Sequence, residues 1–282
     1  MLMYGWLQTP AVTIAAGSAI ALLGLPHGAM DLQVLARSYR TGRQRFAGVT
    51  ALYLTCAAVM ALAWWVAPVA ALAFFLLIAV VHFGEDWQAA EQPFLQHGMA
   101  LALLATPALL HKAATAAIFV ALTGTPAAVL LADALLMVAP VALVVAVTAI
   151  AAMAANGAYG TAASAVLSLA ALAVLPPSLG FAVYFCLFHS PQHFAQRLRL
   201  LGWSRARQWL PVVVPVTALA CAIVAGLFAV VPATGVSARF VAAIFMTLSV
   251  LTLPHVAVPI LLDAGLSRWQ PRRRARSIAS GR

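Results

Sequence analysis

Charge is what this sequence has least of. Only 8% of its 282 residues are Asp, Glu, Lys or Arg, and just six are acidic, where a soluble domain carries roughly 25% charged residues. A large core does not explain the deficit, because a soluble surface must stay polar. Polar stretches long enough to form a soluble domain are missing too. Hydrophobic residues make up 65% of the chain, in recurring apolar runs of about 20 residues, the length that crosses roughly 30 Å of hydrocarbon. The expectation is one all-α, polytopic membrane domain over residues 1–282. Cysteine is scarce as well: Cys56, Cys186 and Cys221 stand far apart inside apolar runs. That excludes a disulfide framework and a paired-thiolate metal site, and leaves core packing. The N-terminus lacks a basic n-region and a clear small-residue cleavage site, so residues 11–35 read as a retained first span. There is no internal repeat.

The few charges present are unevenly placed. The net charge of +10 comes largely from three arginine clusters. They are Arg37, Arg40, Arg43 and Arg45; Arg197, Arg199, Arg205 and Arg207; and Arg272, Arg273, Arg274 and Arg276. Each follows an apolar run, as cytoplasmic loops do under the positive-inside rule. Their partners are therefore the bilayer and its anionic headgroups, not nucleic acid.

Apolar runs punctuated by Pro, Gly and charge predict about nine spans, with seven to ten allowed. They fall near 11–35, 46–67, 69–88, 97–122, 125–154, 158–175, 179–200, 209–231 and 238–264. His111 and Lys112 interrupt the fourth run. Pro140 interrupts the fifth, which is long enough for two helices. Keeping all three arginine clusters on one side requires an even number of spans between them. This places the N-terminus outside and the C-terminus in the cytoplasm. Trp87, Trp203, Trp209 and Trp269 near one face, and Trp64 and Trp65 near the other, read as interfacial anchors.

Against this apolar background, five of the seven histidines stand inside spans: His27, His82, His189, His193 and His255. An ionisable side chain in hydrocarbon is costly and points to function. All five lie in the second half of odd-numbered spans, which places them in one layer toward the cytoplasmic face. His189 and His193 are four residues apart and share a helix face, a spacing suited to gripping one ion. Pro191 between them weakens the local helix. Asp31 and Asp86 each follow a histidine by four residues, His27 and His82. A carboxylate one turn away can accept the second ring N–H of a ligating histidine, so both read as supporting groups. Four neutral imidazoles suit iron, copper, zinc or nickel. A lone intramembrane histidine also serves as a helix–helix hydrogen-bond donor. His255, with no carboxylate close in sequence, is the best candidate for that role and only a possible additional site residue. His97 and His111 fall at predicted helix ends and read as interface residues. Phe83, Tyr184, Phe185 and Phe188 could line an apolar tunnel.

These motifs resemble the Brp/Blh family of bacterial and archaeal membrane β-carotene 15,15′-dioxygenases. The residues carrying the likeness are Pro26-His27-Gly28-Ala29 with Asp31, His82-Phe83-Gly84, Phe188-His189-Ser190-Pro191-Gln192-His193, and Pro254-His255. The resemblance implies a multi-pass protein of the cell (inner) membrane that cleaves β-carotene with O₂ into two all-trans retinal molecules. It further implies a non-haem Fe(II) cofactor on His27, His82, His189 and His193. No catalytic residue beyond the metal site is implied. A retinal-binding opsin is the candidate recipient of the product.

Three other functions share some of these features. A b-type cytochrome would use histidine pairs on haem. A membrane di-iron hydroxylase would want more short-spaced histidine clusters than the one pair present. A carotenoid or retinal carrier needs no metal. A retinylidene Schiff base is disfavoured, because the sole lysine is Lys112, near a helix break.

Overall fold

The computed structural model describes the backbone of residues 9–39 and 43–279, with the side chains of these except Arg43 and those beyond Asp263. Arg40, Trp269 and the third arginine cluster therefore lie outside the described side chains. All regular structure among the described residues is helical.

Among the described residues, ten helical segments follow one another. They are α1 (Pro10–Ser38), α2 (Gln44–Val66), α3 (Pro68–Ala90), α4 (Pro93–Leu110), α5 (Lys112–Thr123), α6 (Pro126–Ala155), α7 (Tyr159–Val174), α8 (177–201), α9 (Ala206–Val230) and α10 (Val236–Ala279). Seven of them (α1–α4, α6, α9 and α10, the last over Val236–Asp263) are long and apolar enough to cross a membrane. At 1.5 Å per residue, α5 and α7 reach only about 18 and 24 Å, short of a full hydrocarbon core. Helix α8 is long enough, but its histidines, glutamines and arginines make it less apolar.

The punctuation differs from the sequence expectation at two places. The run at 97–122 is two helices, because His111 leaves helical geometry at φ −133°, ψ 44°. Its Nε2–H donates to the Ala173 carbonyl 3.0 Å away. Pro140, in contrast, does not end α6. Proline deletes one helical hydrogen bond, and the long flanking turns of α6 carry the helix past that loss.

Small residues set how closely the helices approach. Along α6 the buried positions are Ala132, Leu135, Ala139, Ala142, Ala146, Ala149 and Met153. They alternate steps of three and four, the period of a coiled-coil seam. They face Met99, Ala100, Ala102, Leu103, Ala105 and Ala108 of α4. In lipid, where helices gain nothing from leaving water, such close packing supplies much of the association energy. Gly98 belongs to this seam, since a Cβ there would meet Val145 Cγ1 at 2.2 Å.

Two contacts tie the ends of α1, α8 and α10. Arg37 donates to the Leu201 carbonyl at 2.6 Å, capping the end of α8. Just past α1, the Tyr39 hydroxyl donates to Asp263 at 2.6 Å. Burial and that carboxylate push the Tyr39 phenol up to about 12, so it stays a neutral donor. Two tryptophans point inward instead of anchoring at the interface. Trp64 is buried and donates to the Ser249 hydroxyl. Trp87 is buried and stacks on Tyr184. Trp65 is 86% exposed, as an anchor would be.

Candidate metal centre

Three of the four helices that carry the site's histidines lose regular α geometry beside them, while α10 stays regular through His255. Helix α1 passes through a π-turn at Ile20–Gly24 and a 3₁₀ stretch at Leu25–Met30, which carries His27. Helix α3 stays regular to Gly84, just after His82, and then tightens into 3₁₀ at Glu85–Ala90. Helix α8 has a π-turn at Phe185–His189 before Ser190–Leu201 resumes as α-helix with His193. Such irregular turns concentrate at functional sites. Prolines assist: Pro26 and Pro191 sit in the first turn of the segments that follow, where a missing N–H costs least.

The two π-turns are fitted to each other. A Cβ on Gly24 would lie 2.4 Å from Phe185 Cε1, so only glycine admits that ring. Ser190 bridges the same junction, its hydroxyl 2.8 Å from the Leu23 carbonyl and 3.0 Å from that of Gly24. Sequence reasoning gave Gly24 and Ser190 no role; their only signals were the short segments Gly24-Leu25-Pro26-His27 and His189-Ser190-Pro191-Gln192-His193. Gly24→Ala is expected to destabilise by about 1–3 kcal/mol through overpacking. Ser190→Ala should cost about 1 kcal/mol for a lost hydrogen bond. Both would appear as lowered thermal midpoints of the purified protein.

The structure brings five histidine rings together, all buried. Ring centroids are 4.5 Å apart for His189–His193, 4.7 Å for His82–His189 and His82–His255, 5.1 Å for His27–His189 and 5.4 Å for His27–His255. His97 and His111 stay outside this cluster and bond to the carbonyls of Pro93 and Ala173.

Hydrogen bonding fixes which ring nitrogen is free. Carbonyl and carboxylate oxygens only accept, so the ring nitrogen facing one carries the proton. His27 Nδ1–H donates to the Gly24 carbonyl at 2.6 Å, which leaves its Nε2 lone pair free. His189 Nδ1–H donates to Asp86 at 3.0 Å, and its Nε2 is buried with no partner. His193 Nε2–H donates to Asp86 at 2.8 Å and presents Nδ1. His82 Nδ1 is buried without a hydrogen bond, 4.0 Å from a Glu85 carboxylate oxygen. His255 Nδ1–H donates to Asp31 at 2.7 Å, while its Nε2 accepts from Arg197 at 3.3 Å.

The two aspartates therefore support different histidines from those their spacing suggested. Asp31 bonds His255 and receives the Tyr53 hydroxyl at 3.0 Å, with Arg197 3.6 Å away. Asp86 holds His189 and His193 and receives the Tyr184 hydroxyl. The reason is helical pitch. In a 3₁₀ turn, residues three apart eclipse, so a residue four along points about 120° away. His27 and Asp31 straddle such a turn, and between His82 and Asp86 the helix tightens from α to 3₁₀ after Gly84. The reading of His255 as a residue without a carboxylate changes for the same reason: Asp31 reaches it from another helix.

Two triads have donor atoms close enough to share one ion. His27, His82 and His255 form one, and Asp86, His189 and His193 the other, each within 4.8 Å. Buried, unpartnered imidazole nitrogens facing one another suit a metal, because neutral rings present lone pairs that no nearby hydrogen satisfies.

Aromatic rings close the apolar side. Phe185 stacks on His189 at 5.1 Å and meets His27 edge-on at 5.5 Å. Phe83 lies 5.0 Å from His189 and also lines an apolar cavity of about 80 Å³. Leu72, Phe75, Leu104, Phe119, Phe181 and Phe245 line it too. Tyr184 turns its hydroxyl to Asp86 instead. Phe188 is half-buried and makes no ring contact with the histidines.

No solved structure matches the chain. A beta-carotene 15,15′-dioxygenase of uncultured marine bacterium 66A03 is 27% identical over 184 residues, 62% of this chain. The chain spans 66% of that relative's length, just under two thirds. The family profile of beta-carotene 15,15′-dioxygenases matches residues 18–263. The chain belongs to the beta-carotene 15,15′-dioxygenase family, a family of enzymes.

Proposed function

We propose that this protein is a single membrane domain that cleaves β-carotene at its central 15,15′ double bond with O₂, giving two molecules of all-trans retinal. The observation that carries the reading is the buried cluster of imidazoles with free lone pairs beside an apolar, aromatic-lined cavity. His27, His82, His189 and His193 would hold Fe(II), and His255 stands beside them. Bound iron supplies the one-electron steps that a closed-shell polyene and triplet O₂ lack on their own.

The remaining work falls to the chain. Asp86 fixes the tautomers of His189 and His193, as outer partners of ligating histidines do. Gly24 does the same for His27 through its carbonyl. The apolar cavity marks the side from which the polyene approaches out of the bilayer, where it dissolves. Its wall from Phe83 to Phe181 holds the rigid chain by shape, so that the reacting bond is placed by position alone. No acid–base pair is required, because the reaction adds both atoms of O₂ to the two carbons of one double bond and moves no proton. The arginine clusters support a cytoplasmic side for this end of the bundle, in an inner membrane that holds the substrate, and a retinal-binding opsin would take the product.

Expression in β-carotene-producing cells should bleach their colour and yield retinal. Persistent colour, with folded protein and ample iron, would rule out this substrate. A Soret band in the purified protein would favour the haem reading instead. Filling the cavity by Ala79→Phe is expected to raise KM for β-carotene several-fold while metal content stays unchanged.

A further inference from the structure

The histidine cluster has a polar side as well as an apolar one. Against Asp86 and His193 lies a cavity of about 230 Å³ lined by Glu85, Gln88, Thr161, Gln192, Gln196 and Arg199. Glu85, Gln88, Gln192, Gln196 and Arg199 are exposed, whereas Asp86 and His193 at its inner end are buried. The cavity thus runs from exposed polar groups to the centre itself. The Glu85 side chain is 50% exposed, yet one of its oxygens lies 4.0 Å from the buried, unpartnered His82 Nδ1.

The reaction does not need such an opening. β-Carotene and O₂ both dissolve in hydrocarbon, the product is apolar along most of its length, and no water or proton is exchanged. Iron alone among the components is charged. A hydrated dication cannot reach the histidines through the lipid-facing wall, because moving an ion into a low-dielectric medium costs many kcal/mol.

We infer that the Glu85–Arg199 vestibule is the loading route for the metal ion, with Glu85 as the carboxylate on which an incoming dication docks before transfer to His82. The inference rests on the metal-centre reading above. Glu85 concentrates the cation at the mouth and partly replaces its hydration shell; oxygen ligands suit a freshly dehydrating divalent ion. The amides of Gln88, Gln192 and Gln196 supply further oxygens along the wall. Arg199 opposes the cation electrostatically and keeps the vestibule a transit site, so that the ion passes on to the imidazoles instead of resting at Glu85.

The charge pattern makes opposite predictions for the two residues. Metal-stripped, full-length protein would be mixed with Co(II), whose visible absorption reports histidine coordination, and the rate and final amplitude of the band recorded. Glu85→Gln should slow loading at least about threefold, a modest share of what electrostatic focusing in a cleft can supply. Arg199→Gln should speed it by a similar factor. Both effects should shrink at high salt, and both variants should reach the wild-type amplitude. Gln196→Trp, which fills the vestibule, should load slowest; if it fails to fold, the two charge variants still decide. Wild-type loading rates in both charge variants, with full amplitude, would overturn the loading route and leave the centre standing. No band in the wild-type protein would overturn the centre, and the route with it.

Discussion

Replacing His189 with alanine is expected to abolish both metal retention and retinal formation, a loss of more than about 100-fold. That exceeds the 10–100-fold typical of removing an outer partner of a metal ligand. His189 is fully buried, its Nδ1–H is committed to Asp86 and its Nε2 points into the cluster unpartnered. No other side chain stands ready to supply that lone pair: His193 is itself one of the four proposed ligands, and the free nitrogen of His255 accepts from Arg197. His27→Ala and His82→Ala should behave alike. His255→Ala should cost less, about 10-fold, since Asp31 and Arg197 already lie 3.6 Å apart and can pair directly once the ring is gone. Iron content by elemental analysis and retinal by chromatography separate these outcomes. Full iron retention in His189→Ala would exclude the residue as a ligand.

The second large effect is expected at Asp86. Its carboxylate accepts from His189, His193 and Tyr184 at once. Asparagine keeps the shape but has one oxygen and an NH₂ that can only donate. At least one ring must then lose its partner or change tautomer, which would turn an N–H toward the metal. Asp86→Asn should therefore lower metal affinity by about 10–100-fold, in a protein that still folds. Tyr184→Phe removes one donor while leaving both histidine bonds, and should be much milder. Equal losses in the two variants would mean that Asp86 acts through packing and not through the rings. Titration of stripped protein with Co(II) reads the difference directly, without substrate.

The opposite characters of the two cavities at the site suggest a division of labour. The apolar one meets the cluster at Phe83, and the polar one meets it at Asp86 and His193. A lipid-soluble substrate and a charged cofactor can then reach one centre without sharing a path.

Much of this was legible in the sequence. A helical, membrane-embedded chain follows from composition and from runs of spanning length, because hydrocarbon leaves the backbone no other way to satisfy its hydrogen bonds here. The candidacy of His27, His82, His189 and His193 followed too, since an intramembrane imidazole is costly and points to function. What the sequence could not decide is which group each side chain meets. Spacing by four assumes 3.6 residues per turn, and the 3₁₀ turns near His27 and Asp86 break that assumption. Asp31 thereby serves His255 on α10, and Asp86 serves the two histidines of α8. Charge is the scarcest feature of this chain, and two of its six acidic residues are buried at one cluster. Their nearness to the histidines along the chain was readable from the sequence. Their partners were settled only by tertiary packing, which sets distances between helices that local periodicity does not encode.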